Sequence, residues 1–147
     1  MIMEDELQDI LHTEIPITRA MGIRVVQATS QSVTLSAPLQ NNRNHKHTAF
    51  GGSLYSVAVL SGWGLLYLFL RERGISANIV IQESRVFYSR PVTDVIIATC
   101  SLESAPAHER FLKAFVRNGK ARMELSSRIL QNGQEAVRFE GKYVIHR

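Results

Sequence analysis

The sequence predicts an α+β domain, a mainly antiparallel sheet wrapped round one long central helix. Three observations carry this. Ser53 to Leu70 runs for 18 residues without a charge. Short segments on both sides of it show the two-residue alternation of half-buried strands. The chain has 147 residues, 45% of them hydrophobic and 20% charged, which suits one core, so residues 1–147 are expected to form a single domain. A helix apolar on every side needs cover on every side, and one flat sheet cannot supply it.

The elements follow in order. Glu4 to Ile15 places Leu7, Ile10, Leu11 and Ile15 at helical spacing, and Pro16 stops the run. Ile17 to Met21 reads as a further helical turn ending at Gly22. Ile23 to Ala28 and Ser32 to Leu39 read as strands, with Val33, Leu35, Ala37 and Leu39 on one face. Gln40 to Thr48 is polar and asparagine-rich and reads as a loop, Asn41 and Asn42 as turn residues. The long helix should open near Gly52 and end near Arg73, closed by Gly74. Asn78 to Tyr88 and Val95 to Leu102 are strand-like, broken apart by Pro91. Ala107 to Arg117 is a short amphipathic helix or an extended arm. Lys120 to Leu130 and Glu135 to Ile145 form a hairpin across Asn132-Gly133. The open edges and outer face of such a sheet lead us to expect a homodimer or a dimer of dimers.

Composition excludes several classes. Eighteen uncharged residues are at the lower bound for crossing a bilayer, but this segment carries three serines, two glycines and two tyrosines, so a core helix is expected and no membrane association. The single cysteine, Cys100, excludes a disulfide framework and a cysteine-rich zinc site. His45-Lys46-His47 lacks further ligands at diagnostic spacing, so no metal and no cofactor is expected. Net charge is +4, without a nucleic-acid motif or aromatic–basic interleaving, so nucleic acid is not the expected partner. The start, Met1 to Glu6, lacks a charged-then-apolar leader, which with the lone thiol points to a cytoplasmic setting.

The chemistry centres on Gly51-Gly52 at the start of the long helix. The first N–H groups of a helix have no intrahelical partner and the dipole there favours negative charge. Glycine allows a substrate carbonyl to approach closely, so this is a candidate oxyanion site. Gly-Gly also suits a tight loop-to-helix turn, and that alternative stands beside the functional one. Asn44, an uncharged donor and acceptor six residues before Phe50, and His47, a candidate proton donor or orienting group, are further catalytic candidates. Glu83 is the nearby carboxylate, read on the same strand face as Ile79, Ile81 and Arg85, with an ion pair to an arginine across the sheet or the dimer as its structural alternative.

Asn44-x-x-His47-Thr48-x-Phe50-Gly51-Gly52-Ser53-Leu54-Tyr55-Ser56, with Ser61-Gly62-Trp63-Gly64, the strand Ile79 to Tyr88 and the closing Gly141 to Val144, resembles the "putative thioesterase" family of hotdog folds. The resemblance spans nearly the whole chain. It implies a hotdog fold and an acyl thioester of acyl carrier protein or coenzyme A as substrate. It also implies a site built from Asn44, His47, Gly51, Gly52 and Glu83, with Thr48, Phe50, Ser53, Val59, Ile81, Arg85 and Arg90 around the substrate. The related paaI-type thioesterases carry histidine directly before Gly-Gly, a carboxylate nine residues later, and a hydroxyl on the next strand. Here those positions hold Phe50, Val59 and Ile81, all apolar. Hydrolysis needs an activated water or an attacking carboxylate. Decarboxylation of a malonyl thioester, the reaction of enzymes at the start of fatty-acid synthesis that some members of this family resemble, needs neither and is the expected reaction. Thioester hydrolysis is the alternative, and a non-catalytic acyl-thioester binder a third. Arg85, Arg90, Lys113, Arg117, Lys120 and Arg122 are expected to offer a basic approach to substrate phosphates or an acidic carrier.

Overall fold

The computed structural model describes residues 2–103 and 105–147. Six strands form one antiparallel sheet in the order β1-β2-β4-β5-β6-β3. They are β1 (Arg24–Ala28), β2 (Ser32–Ala37), β3 (Asn78–Tyr88), β4 (Ile96–Ser101), β5 (Lys120–Gln131) and β6 (Gln134–His146). The helices are α1 (Ile2–Glu14), α2 (Ile17–Ala20), α3 (Leu39–Asn42), α4 (Gly51–Glu72) and α5 (Ala105–Asn118). The α+β class and the central helix agree with the sequence.

The sheet curls round α4. Val33, Leu35, Ala98, Cys100, Ile129, Phe139 and Ile145 point inward, all fully buried, and meet Leu65, Leu66 and Phe69 of the helix. This settles the membrane question for α4. It is long and apolar enough to span, yet 72% of its most apolar window is buried inside the domain. At its far end Gly74 takes φ +67° while its N–H and that of Ile75 bond back to Arg71 and Leu70, which closes the helix as the sequence predicts.

Two buried contacts fix α4 against β6 and β5. The Tyr143 hydroxyl donates to the Val59 carbonyl at 2.6 Å, and the space it occupies exists because residue 62 is glycine. Ser61 bonds Ser127 of β5 at 2.8 Å, a buried polar pair that satisfies itself.

The two edges of the sheet differ. At β1 the Val25 N–H donates to Gln8 Oε1 of α1, and His12 of α1 meets the Ile23 carbonyl, so α1 covers that edge. At β3, ten of its eleven residues pair with β6, on one side only. β4 pairs with β5 only over Ala98–Cys100, and α5 covers the rest of β5 with buried Phe111 and Phe115. Phe69 sits 6.2 Å from Phe111 and 5.3 Å from His108, centroid to centroid.

Several expectations need correction. The loop read over Gln40–Thr48 begins with the short helix α3, and Asn42 is no exposed turn residue. It is buried, its amide donating to the Met21 and Pro38 carbonyls at 2.9 and 2.8 Å. Of the two readings of Ala107–Arg117, the helix is the one found, as part of α5. The second strand ends at Ala37, because Pro38 turns the chain into α3.

Candidate functional site

The N-terminus of α4 is reached from a closed loop. The Phe50 N–H bonds the Asn42 carbonyl at 2.7 Å, and Arg43 and Ala49 form an antiparallel bridge. Above that base Asn44 organises the tip. Its Oδ1 accepts the N–H groups of Lys46 and Thr48, and its Nδ2 donates to Thr48 Oγ1 at 2.9 Å. Asn44 and Thr48 thus form one unit, in which one amide hydrogen of Asn44 has no acceptor among the described residues. His47 has φ +64° and is exposed; its Nδ1 accepts from Arg43 at 2.9 Å.

No side chain caps α4. The two glycines have different local reasons. A Cβ on Gly52 would run into the Phe50 ring, which folds over it, whereas a Cβ on Gly51 would meet only the Tyr88 ring at an ordinary 3.8 Å. Packing therefore explains Gly52 but not Gly51. The Gly51 carbonyl accepts the Tyr88 hydroxyl at 3.2 Å, so β3 comes alongside the start of the helix. Burial, then the neighbouring Tyr55, raises the Tyr88 hydroxyl above the ordinary phenol range.

β3 and α4 run side by side from that point. Tyr55 meets Ser84 through a hydroxyl contact of 3.3 Å, and further on the Trp63 indole N–H donates to the Ile79 carbonyl at 3.3 Å. Tyr55, Val59, Trp63, Ile79, Ile81 and Val86 are half-buried along this line. The wall is hydroxylic beside the helix start and apolar beyond it. Sequence reasoning gave no role to Tyr55, Ser84 or Tyr88. Tyr55 stood in the quoted motif, but a tyrosine on an apolar helix carries no signal that it touches the next strand.

The reading of Glu83 fails for a definite reason. The register of β3 against β6 shifts between Ile81 and Glu83, a bulge at Gln82. Ile79 and Ile81 face inward, but past the bulge Ser84 and Val86 take the inward places, and Glu83 and Arg85 face out. Glu83 pairs with Lys142 at 3.1 Å on the outer face, with its side chain 68% exposed. The ion pair expected across the sheet exists, with a lysine as partner. Arg85 lies 5.5 Å from the Phe87 ring on the outer face and is not beside Gly51. Arg90 is exposed just past β3. Ser53 is half-buried in the first turn of α4, and the Val59 carbonyl is taken by Tyr143.

The basic residues also spread along the sheet, although Arg85 and Arg122 line one groove. Arg85 and Arg90 lie toward the end of β3 that touches Gly51. Lys120 and Arg122 pair with His146 and Val144 at the other end of the sheet, next to Lys113 and Arg117 of α5. A groove of about 780 Å³ runs between α5 and the outer face of β3, β6 and β5, away from the helix start. Its charges alternate, with Lys142 between Glu83 and Glu124, so they largely neutralise one another.

With this geometry in place, comparison with known proteins gives the class. The model of the family described as putative thioesterase (yiiD_Cterm) matches residues 4–147, and the chain belongs to that family. A protein of unknown function from Chlorobaculum tepidum is 33% identical, covering 98% of this chain and 94% of its own, with a TM-score of 0.94. A putative thioesterase from Shewanella oneidensis is 27% identical over 99% of this chain and 98% of its own, at TM-score 0.87. A probable thioesterase from Pseudomonas aeruginosa, 19% identical over 97% and 94% of the two chains, shares the fold at TM-score 0.83. The fold is the hotdog fold of thioesterases, and the family and its neighbours make this an acyl-thioester enzyme.

Proposed function

We propose that the chain decarboxylates a malonyl thioester, borne by acyl carrier protein or coenzyme A, to the acetyl thioester that starts fatty-acid synthesis. The observation that carries this reading is the bulge at Gln82, which turns Glu83, the carboxylate best placed in the sequence to activate water, to the outer face and into the Lys142 ion pair. In decarboxylation the bond between the methylene and the carboxylate carbon breaks. Carbon dioxide leaves, the electron pair passes into a thioester enolate, and a proton then completes the acetyl group. What this reaction needs from a protein is hydrogen-bond donors at the enolate oxygen. The N–H groups of Gly51 and Gly52 and the remaining amide hydrogen of Asn44 are the proposed donors. Thr48 holds Asn44 in place, His47 and Ser53 stand beside the path of the substrate, and Phe50, Val59 and Ile81 keep water sparse. Neither a metal nor a cofactor enters these steps.

Hydrolysis is the second reading, favoured by the family's description and by that of the Shewanella relative. The two reactions leave different products. Mass spectrometry of a malonyl thioester and a long-chain acyl thioester after incubation with the pure protein separates them. Acetyl thioester with no free thiol supports decarboxylation, and free thiol from either substrate overturns it in favour of hydrolysis.

A homodimer is part of the proposal, since the open edge of β3 and the half-buried line of α4 beside it suit a second copy. So is a cytoplasmic setting, which suits the buried Cys100 thiol.

A further inference from the structure

The outer face of the sheet carries a feature that the reading of the helix start does not use. Arg128 of β5 and Arg138 of β6 stand directly opposite one another in register, with Phe87 of β3 next in the row. Like charges placed opposite on adjacent strands, about 5 Å apart, destabilise a sheet. Arg138 has one counterion, Glu135, at 3.3 Å. Arg128 has no ion pair among the described residues, nor does Arg90 at the end of β3, while Arg85 lies against the Phe87 ring. Three arginines, Arg85, Arg128 and Arg138, thus share the face with two glutamates, Glu135 and Glu140, around an aromatic ring that is 43% exposed, and Arg90 is exposed just beyond the end of β3. Surfaces rich in arginine and exposed aromatics are the composition of protein interfaces.

Position gives the patch its meaning. Phe87 adjoins Tyr88, and Tyr88 reaches the Gly51 carbonyl from the inner face. One step along β3 therefore leads from the patch to the helix start. A second copy of this chain is a poor occupant, because two such patches repel. Coenzyme A alone also fits poorly, since these arginines stand on a pleated face and line no cleft for a nucleotide.

We propose that this face, centred on Arg128 and Arg138, docks an acidic carrier protein that delivers the acyl thioester round the edge of β3 to the start of α4. The proposal rests on the acyl-thioester reading above. It leaves the hydrogen-bonding edge of β3 free.

The test uses fluorescence anisotropy of labelled acyl carrier protein, together with turnover of one acyl group presented on carrier protein and on coenzyme A. The wild type should bind the carrier, more weakly as salt rises from 0.1 to 1 M, where the screening length falls from about 10 to about 3 Å. Arg128→Glu with Arg138→Gln should weaken binding about tenfold and raise KM for the carrier-borne substrate alone, with kcat unchanged. Arg128→Lys, which keeps the charge, should bind nearly as well as wild type. Unchanged carrier binding in the double variant, or an equal loss with the coenzyme A substrate, overturns the proposal. Turnover of coenzyme A thioesters without carrier binding sinks the docking face and spares the proposed reaction. Carrier binding lost in the double variant, with no turnover of either thioester by wild type, does the reverse.

Discussion

Gly51 and Gly52 look equivalent in the sequence and are not. Helix interiors favour alanine over glycine by about 1 kcal/mol. At position 52 the Phe50 ring occupies the place of a Cβ, but at position 51 there is ordinary room. Packing therefore does not require glycine at position 51, the first residue of α4, and the proposed oxyanion role would use the room it leaves. Gly51→Ala keeps the backbone N–H but puts a methyl group in the path of the carbonyl; it should change stability by less than about 1 kcal/mol and, if that misplacement costs as much as losing one oxyanion donor, lower turnover about 100-fold. Asn44→Ala should lower kcat on the same scale with little change in KM, because the bond strengthens as charge develops. Circular-dichroism melts and steady-state kinetics on both variants check this. Near-wild-type turnover in both would remove the oxyanion role. At this scale the glycines, Asn44 and Thr48 were legible because their spacing is local. Tyr88 and Ser84 were not, because what makes them part of the site is contact with residues 37 and 29 positions away.

Elements were read with more success than faces. The boundaries of α4 and β3 follow from uncharged length and alternation, which are properties of consecutive residues. A bulge adds one residue to one strand and reverses every side chain beyond it, and nothing local in Gln82-Glu83-Ser84 announces it. That single irregularity separates the expected face of Glu83 and Arg85 from the observed one. Packing between elements is equally non-local, as Gly62 shows. A methyl there would overlap the Tyr143 hydroxyl, which is buried and bonded to the Val59 carbonyl. Gly62→Ala should destabilise the domain by about 1–3 kcal/mol, the usual cost of overpacking. Tyr143→Phe removes the nearest of the obstructing atoms and leaves the ring edge in place, so the same substitution should cost somewhat less in that background. A double-mutant cycle by urea denaturation measures the coupling, and strict additivity would mean that the two residues do not meet.

The docking of α5 carries a pH dependence of its own. His108 packs on Phe69, whose other neighbour is the Arg73 guanidinium at 3.8 Å from the ring centroid. Burial first and Arg73 second hold the His108 imidazole below its ordinary 6.5. The fold then favours the neutral ring. Its contribution is complete above about pH 6.5 and is lost as pH falls toward the lowered folded value. Wild-type melting temperature should therefore drop between pH 7.5 and 5, and by less in His108→Leu. Amide exchange in α5 should report the same loosening, and an identical pH profile in the variant would exclude His108 as its source.

For the whole molecule, the decisive asymmetry is between the two sheet edges. The class was legible from one uncharged helix among alternating strands, since cover for that helix leaves few architectures. Which edge stays open was not, because it depends on where α1 lands. Gln8 and His12 of α1 meet Val25 and the Ile23 carbonyl at the β1 side, whereas β3 offers eleven residues with one free side, and Val80 on its outer face is 47% exposed. Natural sheets guard free edges with inserted charge, and lysine there blocks edge-to-edge pairing. Residues 78–82 of β3 are uncharged. If β3 pairs with its copy, Val80→Lys brings two cations near the joint, beside Arg122 across the sheet on the Val144 side. Sedimentation velocity should then show a wild-type dimer at micromolar concentration and a shift toward monomer in Val80→Lys. Circular dichroism should stay unchanged, because the substituted side chain points away from α4. A wild type that sediments as a monomer at every concentration would rule out the joint, and a dimer indifferent to the lysine would move it away from β3.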